Sequence, residues 1–405
     1  MSGPAPAPAD SEWRVGWRIV ASMALANGTG ISLLFFTFSM FLLPIAAELN
    51  LSRGEIGLVQ ALIITAAIGA PVLGRITDKL GFRPVFIFAT LALGAIELGQ
   101  SRLVDDLPSL ALSVALAGLI GGGATAVLLT RPVNAHFRRY RGIALGLVAA
   151  GSSVATMIVP PFLHHVIETE GWRQGFVLLA TIACVVGMPL VLLLLPRGVA
   201  TVPRGPLASG IGAELSRPFL KERDFWLLVG ANILAALSIS GTISQLSPMV
   251  QDERLSAQTA AFGLSLFAFG QLGGKLFGGF ALDRFDPRRV AVLMTLLPAT
   301  GFLLFLLDTG TAWPVLLACV LIGVLQGAEV DIFAYFVARR FDLAQYGTVF
   351  GALHGFGWLG TAAGITLFGF TFDLFGSYEP IQLGAVLLLA FSTLLFLPIR
   401  LRNEV

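Results

Sequence analysis

A few ionisable side chains in this chain stand inside long apolar runs, and their types could handle charge and protons. Lys275 lies in the run 257–281, eight residues before Asp283, which sets it about 12 Å in from a helix end at 1.5 Å per residue. A charge in hydrocarbon costs roughly 2.5–3.5 kcal/mol. Such an ammonium is kept as an anchor for an anionic substrate, as half of a structural ion pair, or by snorkelling. Its depth favours the first. Arg131 precedes Pro132, which loosens the helix ladder. Its guanidinium is a candidate second contact, since Arg binds carboxylate in two-pronged fashion. Snorkelling or pairing within an inner gate are its alternatives. Glu329 and Asp331 share one run but, two positions apart, point about 200° from each other on a helix. One can face a pathway while the other faces packing. A carboxyl whose surroundings alternate between apolar contact and a nearby cation can take up and release a proton. Either residue is therefore the proton-coupling candidate, resting in an ion pair with Lys275 or Arg131, and a purely structural pair is the alternative.

His354 is a candidate substrate contact or titrating switch, with a packing histidine as the plain alternative. Asn27 and Gln245 are candidates to line a cavity, as are Asn232 and Ser240; interhelical hydrogen bonds are the other reading. His164 and His165 end one run, where an interfacial role suffices, and Glu97 has no evident partner.

The elements that must hold these groups follow from composition. Hydrophobic residues make up 56% and charged residues 12% of 405, with mean hydropathy +0.84. Soluble domains carry about 25% charged residues, so a water-soluble core is excluded and a polytopic membrane protein is expected. The net charge of +2 carries no signal of its own. Cys184 and Cys319 both fall in apolar runs and read as small hydrophobes rather than a disulfide. No cleavable leader is expected, because the first apolar run is too long for a signal core.

A bilayer-crossing helix needs about 20 apolar residues. On that basis the chain holds twelve spans: 17–46, 55–74, 84–104, 108–135, 142–166, 172–196, 224–250, 257–281, 289–307, 312–338, 346–372 and 379–399. The fold class is all-α and integral to the membrane, as two six-helix bundles, 17–196 and 224–399. They are joined by a Pro-containing linker, 197–223, and flanked by a disordered N-terminus, 1–16, and a tail, 400–405. Twenty Lys and Arg fall on one side of this alternation and four (Arg53, Arg102, Arg173, Arg254) on the other. By the positive-inside rule both termini are cytoplasmic, and the expected location is the plasma (inner) membrane.

The two bundles are copies. Gly74, Asp78, Arg83 and Val85 match Gly279, Asp283, Arg288 and Val290 at one offset of 205 residues. Gly142, Gly146 and Gly171 match Gly347, Gly351 and Gly376 at the same offset. Duplicated membrane bundles of this kind commonly hold a substrate between the halves.

Twelve spans with loops Gly74-x-x-x-Asp78-Lys79-x-Gly81-x-Arg83 and Gly279-x-x-x-Asp283-Arg284 resemble the major facilitator superfamily. The second loop departs from the pattern, with Asp286 where a second glycine is expected. The resemblance implies that these gating loops (Gly74, Asp78, Gly81, Arg83; Gly279, Asp283, Arg284, Arg288) latch the outward-open state. Asp78 and Asp283 would then pair with neighbouring arginines. A narrower similarity is to bacterial monocarboxylate transporter-like and oxalate/formate antiporter-like members. It rests on Gly171-Trp172-Arg173-x-x-Phe176, on Gly323-x-x-x-Gly327-x-Glu329-x-Asp331, and on Lys275. It implies a basic contact for a carboxylate in the eleventh span, where this chain has His354.

No phosphate-binding loop, metal-ligand cluster or enzyme constellation occurs in the sequence. No cofactor, metal or nucleic-acid partner is expected, and no enzymatic activity. The expectation is a monomeric secondary active transporter of a small, monocarboxylate-like organic anion. It would work by alternating access, with proton symport or anion exchange. The rival readings are a proton-coupled exporter of drugs or other cationic or amphipathic compounds, in which the acids meet the substrate, and a transport-dead sensor.

Overall fold

The computed structural model describes residues 9–121, 126–196, 218–307, 311–342 and 345–399, and no strand occurs among them. In apolar surroundings a backbone must satisfy its own polar groups, and only helices do this segment by segment. Helix α1 runs Ala9–Thr29 and continues as Ile31–Thr37 and Ser39–Leu49. Then come α2 (Arg53–Leu80), α3 (Phe82–Leu103), α4 (Leu107–Gly121 and Ala126–His136), α5 (Arg141–Glu170) and α6 (Trp172–Leu194). The second half is α7 (Arg223–Asp252), α8 (Ala257–Arg284), α9 (Pro287–Phe305), α10 (Ala312–Arg340), α11 (Tyr346–Phe375) and α12 (Glu379–Phe396).

Among the described residues, ten helices are long and apolar enough to cross a bilayer, or eleven if the first two pieces of α1, bent by 42°, form one span. The fourth expected span is described as two pieces on either side of residues 122–125. The loops after α2, α4, α8 and α10, with the start of α1, lie on one side, here called the basic face. The loops after α1, α3, α5, α7, α9 and α11 lie on the far face.

The N-terminal boundary needs correction. Residues 1–16 were expected to be disordered, yet α1 begins at Ala9. Two contacts explain this. Trp13 packs edge-on against Phe137 at 4.9 Å. The Glu12 carboxylate accepts from the backbone N–H groups of Arg138, Arg139 and Tyr140 at 3.2–3.3 Å, closing the α4–α5 turn. Most of the expected linker, 197–217, and the tail, 400–405, fall outside the described residues.

The repeat is visible in the bonds. Asn27 Nδ2 donates to the Val148 carbonyl at 3.2 Å, joining α1 to α5. Asn232 Nδ2 donates to Leu353 at 3.2 Å, joining α7 to α11, and both partners are displaced by 205 residues. Arg83 donates to the Leu195 carbonyl, and Arg288 to Ile399 at 2.6 Å, so each copy ties its third helix to the end of its sixth. Gly81 takes a positive φ of 87° at the α2–α3 turn. Its counterpart Asp286 has φ −56° and caps α9 instead, accepting from Arg289 N at 3.0 Å.

Matched substitutions test this symmetry. Asn27→Ala and Asn232→Ala should each destabilise the protein by a similar amount, about 0.5–2 kcal/mol, read from thermal melts in detergent. A loss confined to one of them would break the equivalence.

Candidate functional site

Lys275 is positioned by the packing behind it. A Cβ on Gly270 or Gly274 would sit 2.1 or 2.0 Å from the carbonyls of Val320 and Val324, so α8 lies directly on α10. Gly323 and Gly327 return the contact against Phe267 and Gln271. Small residues permit such approach in lipid, and it turns the adjacent face of α8, about 100° round the helix, toward α5. There Lys275 Nζ donates to the Ala149 carbonyl at 2.9 Å, Ser153 Oγ at 3.0 Å and Ser152 Oγ at 3.4 Å. One turn away, Ser153 donates to Gln271 Oε1 at 2.7 Å. Asn27 Nδ2 also reaches Ala149, at 3.4 Å, which brings it to the edge of the same cradle. The three donors of the ammonium thus rest on neutral acceptors belonging to the other half.

The two carboxyls of α10 separate as their spacing demands. Asp331 is the charged group whose field reaches both Lys275 and Tyr346, without a direct ion pair to Lys275. Glu329 follows Ile322 by two turns, on the stripe where Ala318 and Ile322 meet Gly301 of α9. It faces the packing of its own half.

His354 is exposed on α11 and stacks on Phe350, ring centres 5.4 Å apart. It lies three turns before Ile365, whose carbonyl abuts Gly57 of α2, so both share one stripe. Near Ile365 the two halves touch; near His354 they do not. A Cβ on Gly347 or Gly351 of α11, or on Gly142 or Gly146 of α5, would meet nothing within 4 Å. Gly142 and Gly146 fall on the stripe of Ser153, which does touch α8. A cleft between the halves therefore opens on the basic face, with Lys275 at its closed end and His354 on its wall.

Other expected site residues lie elsewhere. Arg131 is held by the Asp78 carboxylate and donates to the Gly74 carbonyl at 3.1 Å, so its guanidinium is engaged inside the N-terminal half. The position matching Arg131 is the buried Phe336, and Asp283 is exposed with no arginine partner among the described residues, contrary to the expected pairing. Gly279 and Arg284 lie five residues apart at the basic-face end of α8, and a Cβ on Gly279 would meet open space. Gln245 is away from the open cleft: it accepts from the Tyr378 hydroxyl at 2.7 Å in the far-face closure. Ser240 bonds Thr361 between α7 and α11 at 3.2 Å, and His164 sits 3.3 Å from Glu168 near the far end of α5.

That closure was not anticipated. Asp373 of α11 accepts from the first backbone N–H groups of α2, Arg53 at 3.0 Å and Gly54 at 2.8 Å. A carboxylate from one half thus caps a helix of the other, where the helix dipole favours negative charge. The Arg53 side chain grips both oxygens of Asp252 on α7, at 2.6 and 3.0 Å, and donates to the Tyr378 hydroxyl at 3.1 Å. Its guanidinium lies 3.5 Å over the Phe372 ring. Burial pushes the Tyr378 phenol above its ordinary range, so it remains a donor. The available signal was scarcity: Arg53 is one of four basic residues assigned to that side. Trp172 and Arg173 hold Glu48, and Arg173 also reaches Asp105 at 3.2 Å, so this motif ties the far ends of one half together.

A family model described as Major Facilitator Superfamily matches residues 22–253 and 228–405. The chain belongs to that superfamily. Its fold is that of multi-pass membrane proteins of this superfamily, and the relatives that it matches are transporters. Human monocarboxylate transporter 11 is 26% identical over 286 residues, covering 69% of this chain and 59% of that protein. Monocarboxylate transporter 2 of Mesocricetus auratus is 26% identical over 306 residues, covering 68% and 60%. The chain spans about three-fifths of the length of such curated relatives, 59–64% for the first three. The solved nucleoside transporter NupG superposes with TM-score 0.78 at 14% identity, covering 95% of this chain and 98% of that one. A bacterial homologue of the human lysosomal transporter Spinster, solved in an inward-facing, unoccupied conformation, gives TM-score 0.72 at 15% identity, covering 99% and 100%.

If the far-face closure sets the state of the cleft, Asp373→Ala or Asp252→Ala should shift the superfamily protein toward closing on the basic face. Losing a charge-assisted hydrogen bond costs about 1.5–3 kcal/mol, enough to redistribute two states. Spin labels across the basic-face ends of α5 and α8 should report a shorter distance in either variant. An unchanged distribution would remove these carboxylates from gating.

Proposed function

We propose that the protein is a secondary active transporter of a small organic anion of the monocarboxylate type, working by alternating access. The observation that carries this reading is the Lys275 ammonium, held at the seam by neutral oxygens of α5 alone. Desolvated cations are normally met by an anion, and this one leaves that place to a visitor from the cleft. The monocarboxylate transporters among the relatives support the same class.

Taking the basic face as cytoplasmic, with both termini there and the plasma (inner) membrane as the site, the cleft is open inward. A carboxylate entering it would take over hydrogen bonds that Lys275 gives to Ala149, Ser152 and Ser153. The bond between the halves at that level would loosen as the substrate binds. Binding energy would thereby be used to let the halves rock. Asp331, whose field Lys275 already feels, is the α10 carboxyl placed to exchange a proton as the ammonium moves; Glu329 faces the wrong way. His354 is the second candidate contact on the cleft wall. Arg131 does not take part, because Asp78 holds it. The protein acts as a monomer in this reading.

Lys275→Gln should remove the rise in melting temperature that small monocarboxylates give the purified protein, and abolish their uptake into proteoliposomes. The variant itself should melt near the wild-type temperature. Retained carboxylate binding would defeat the anion assignment. Transport of a lipophilic cation that survives Lys275→Gln and is lost in Asp331→Asn would establish the exporter reading instead.

A further inference from the structure

Away from both seams, the N-terminal half encloses a carboxyl that the scheme above does not use. Glu97 of α3 is 2% exposed, and its Oε2 has no hydrogen-bond partner. Gln100, one turn on, is fully buried, and its Oε1 lacks a partner too. The orientation of Gln100 follows from its neighbour. The Ser113 hydroxyl donates to the Leu110 carbonyl at 2.7 Å, so its oxygen accepts from Gln100 Nε2, at 3.2 Å. Two buried acceptors therefore stand at i and i+3 on one helix face with no donor for either. A single proton on Glu97 converts one of them into the missing donor.

Among the described residues, the groups around Glu97 offer no counter-charge. From α6 comes Cys184, whose Sγ donates to the Thr90 carbonyl at 3.5 Å; from α4 comes Ser113. On α3 itself Arg102 is exposed at the far end, and Arg173 is occupied by Glu48 and Asp105. Packing does not demand a carboxyl here either. At the 205-residue offset Glu97, Gln100 and Cys184 become Phe302, Phe305 and Leu389, each no more than 1% exposed. The same helix junction is apolar in the other half. Cys184 also sits within a π-type turn of α6, Ile182–Gly187, a distortion that recurs at functional sites. The polar file continues toward the far face through Ser101, one turn beyond Glu97 and also buried.

We propose that Glu97 is a proton-binding site of the transport cycle, occupied in this state and exchanging with the far face through Gln100 and Ser101. Its occupancy stands on the hydrogen-bond inventory alone; its part in coupling rests on the transporter reading.

Infrared spectroscopy of the purified protein at neutral pH tests the first point. A neutral-carboxyl band should disappear in Glu97→Gln and persist in Glu329→Gln and Asp331→Asn. Glu97→Gln supplies the missing donor with its own amide and should fold. Gln100→Leu gives an independent check, because losing the acceptor should move the band to higher frequency. A wild-type spectrum without a Glu97-dependent band, or a band indifferent to Gln100→Leu, overturns the site. In proteoliposomes, accumulation of lactate driven by a pH gradient should be lost in Glu97→Gln while lactate–lactate exchange continues. Wild-type accumulation in that variant overturns the coupling role. If the wild-type protein moves no carboxylate at all, the anion reading fails, and the infrared result still decides the site.

Discussion

A charged side chain in hydrocarbon has to be met by a partner, and for Lys275 the partner is the opposite half of the molecule. Its ammonium spends all three donors on α5, on a carbonyl and two hydroxyls that carry no charge. The contact joins the halves at the blind end of the cleft. In the proposed cycle it is the contact that a carboxylate takes over, because a charged acceptor forms the stronger bond. On that proposal, position, binding and motion are linked through one amine. The close packing of α8 on α10, with Gly270, Gly274, Gly323 and Gly327 at the crossing, holds that amine at the seam.

The far-face closure is the complementary constraint. Asp373 completes the N-terminus of α2, and Arg53 completes Asp252, so each half supplies what a helix end or a charge of the other lacks. Opening there leaves two backbone donors and an ion pair to water. The cleft on the basic face and the closure on the far face are thus two ends of one balance, with Lys275 between them.

Comparing the copies shows where duplication stops. Asn27 and Asn232, and Arg83 and Arg288, do the same structural work in both halves. The charged groups weighed for substrate or proton binding are single. At the shared offset Lys275 corresponds to Ala70, His354 to Ala149, Arg131 to Phe336, Asp331 to Ala126 and Glu97 to Phe302. The scaffold is built twice and the chemistry once. That asymmetry could be read in the alignment of the halves, and the pairing of Asn27 with Asn232 lay there as well.

The sequence alone determined the class of molecule: apolar runs long enough to cross a bilayer, their alternation of basic loops, and a 205-residue repeat. These are local or periodic properties, and a helix in lipid follows from them because the backbone has no other way to satisfy itself. It also limited Glu329 and Asp331 to opposite sides of one helix. Which of them faces Lys275 was decided by the direction in which α10 packs. Tertiary structure likewise decided that Arg131 belongs to Asp78, that Gln245 serves the far-face closure, and that residues 9–16 are helical. The physical reason is the same in each case. A buried polar group is defined by its partner, and these partners lie 53 residues or more away in the chain, on helices whose rotation no local pattern specifies.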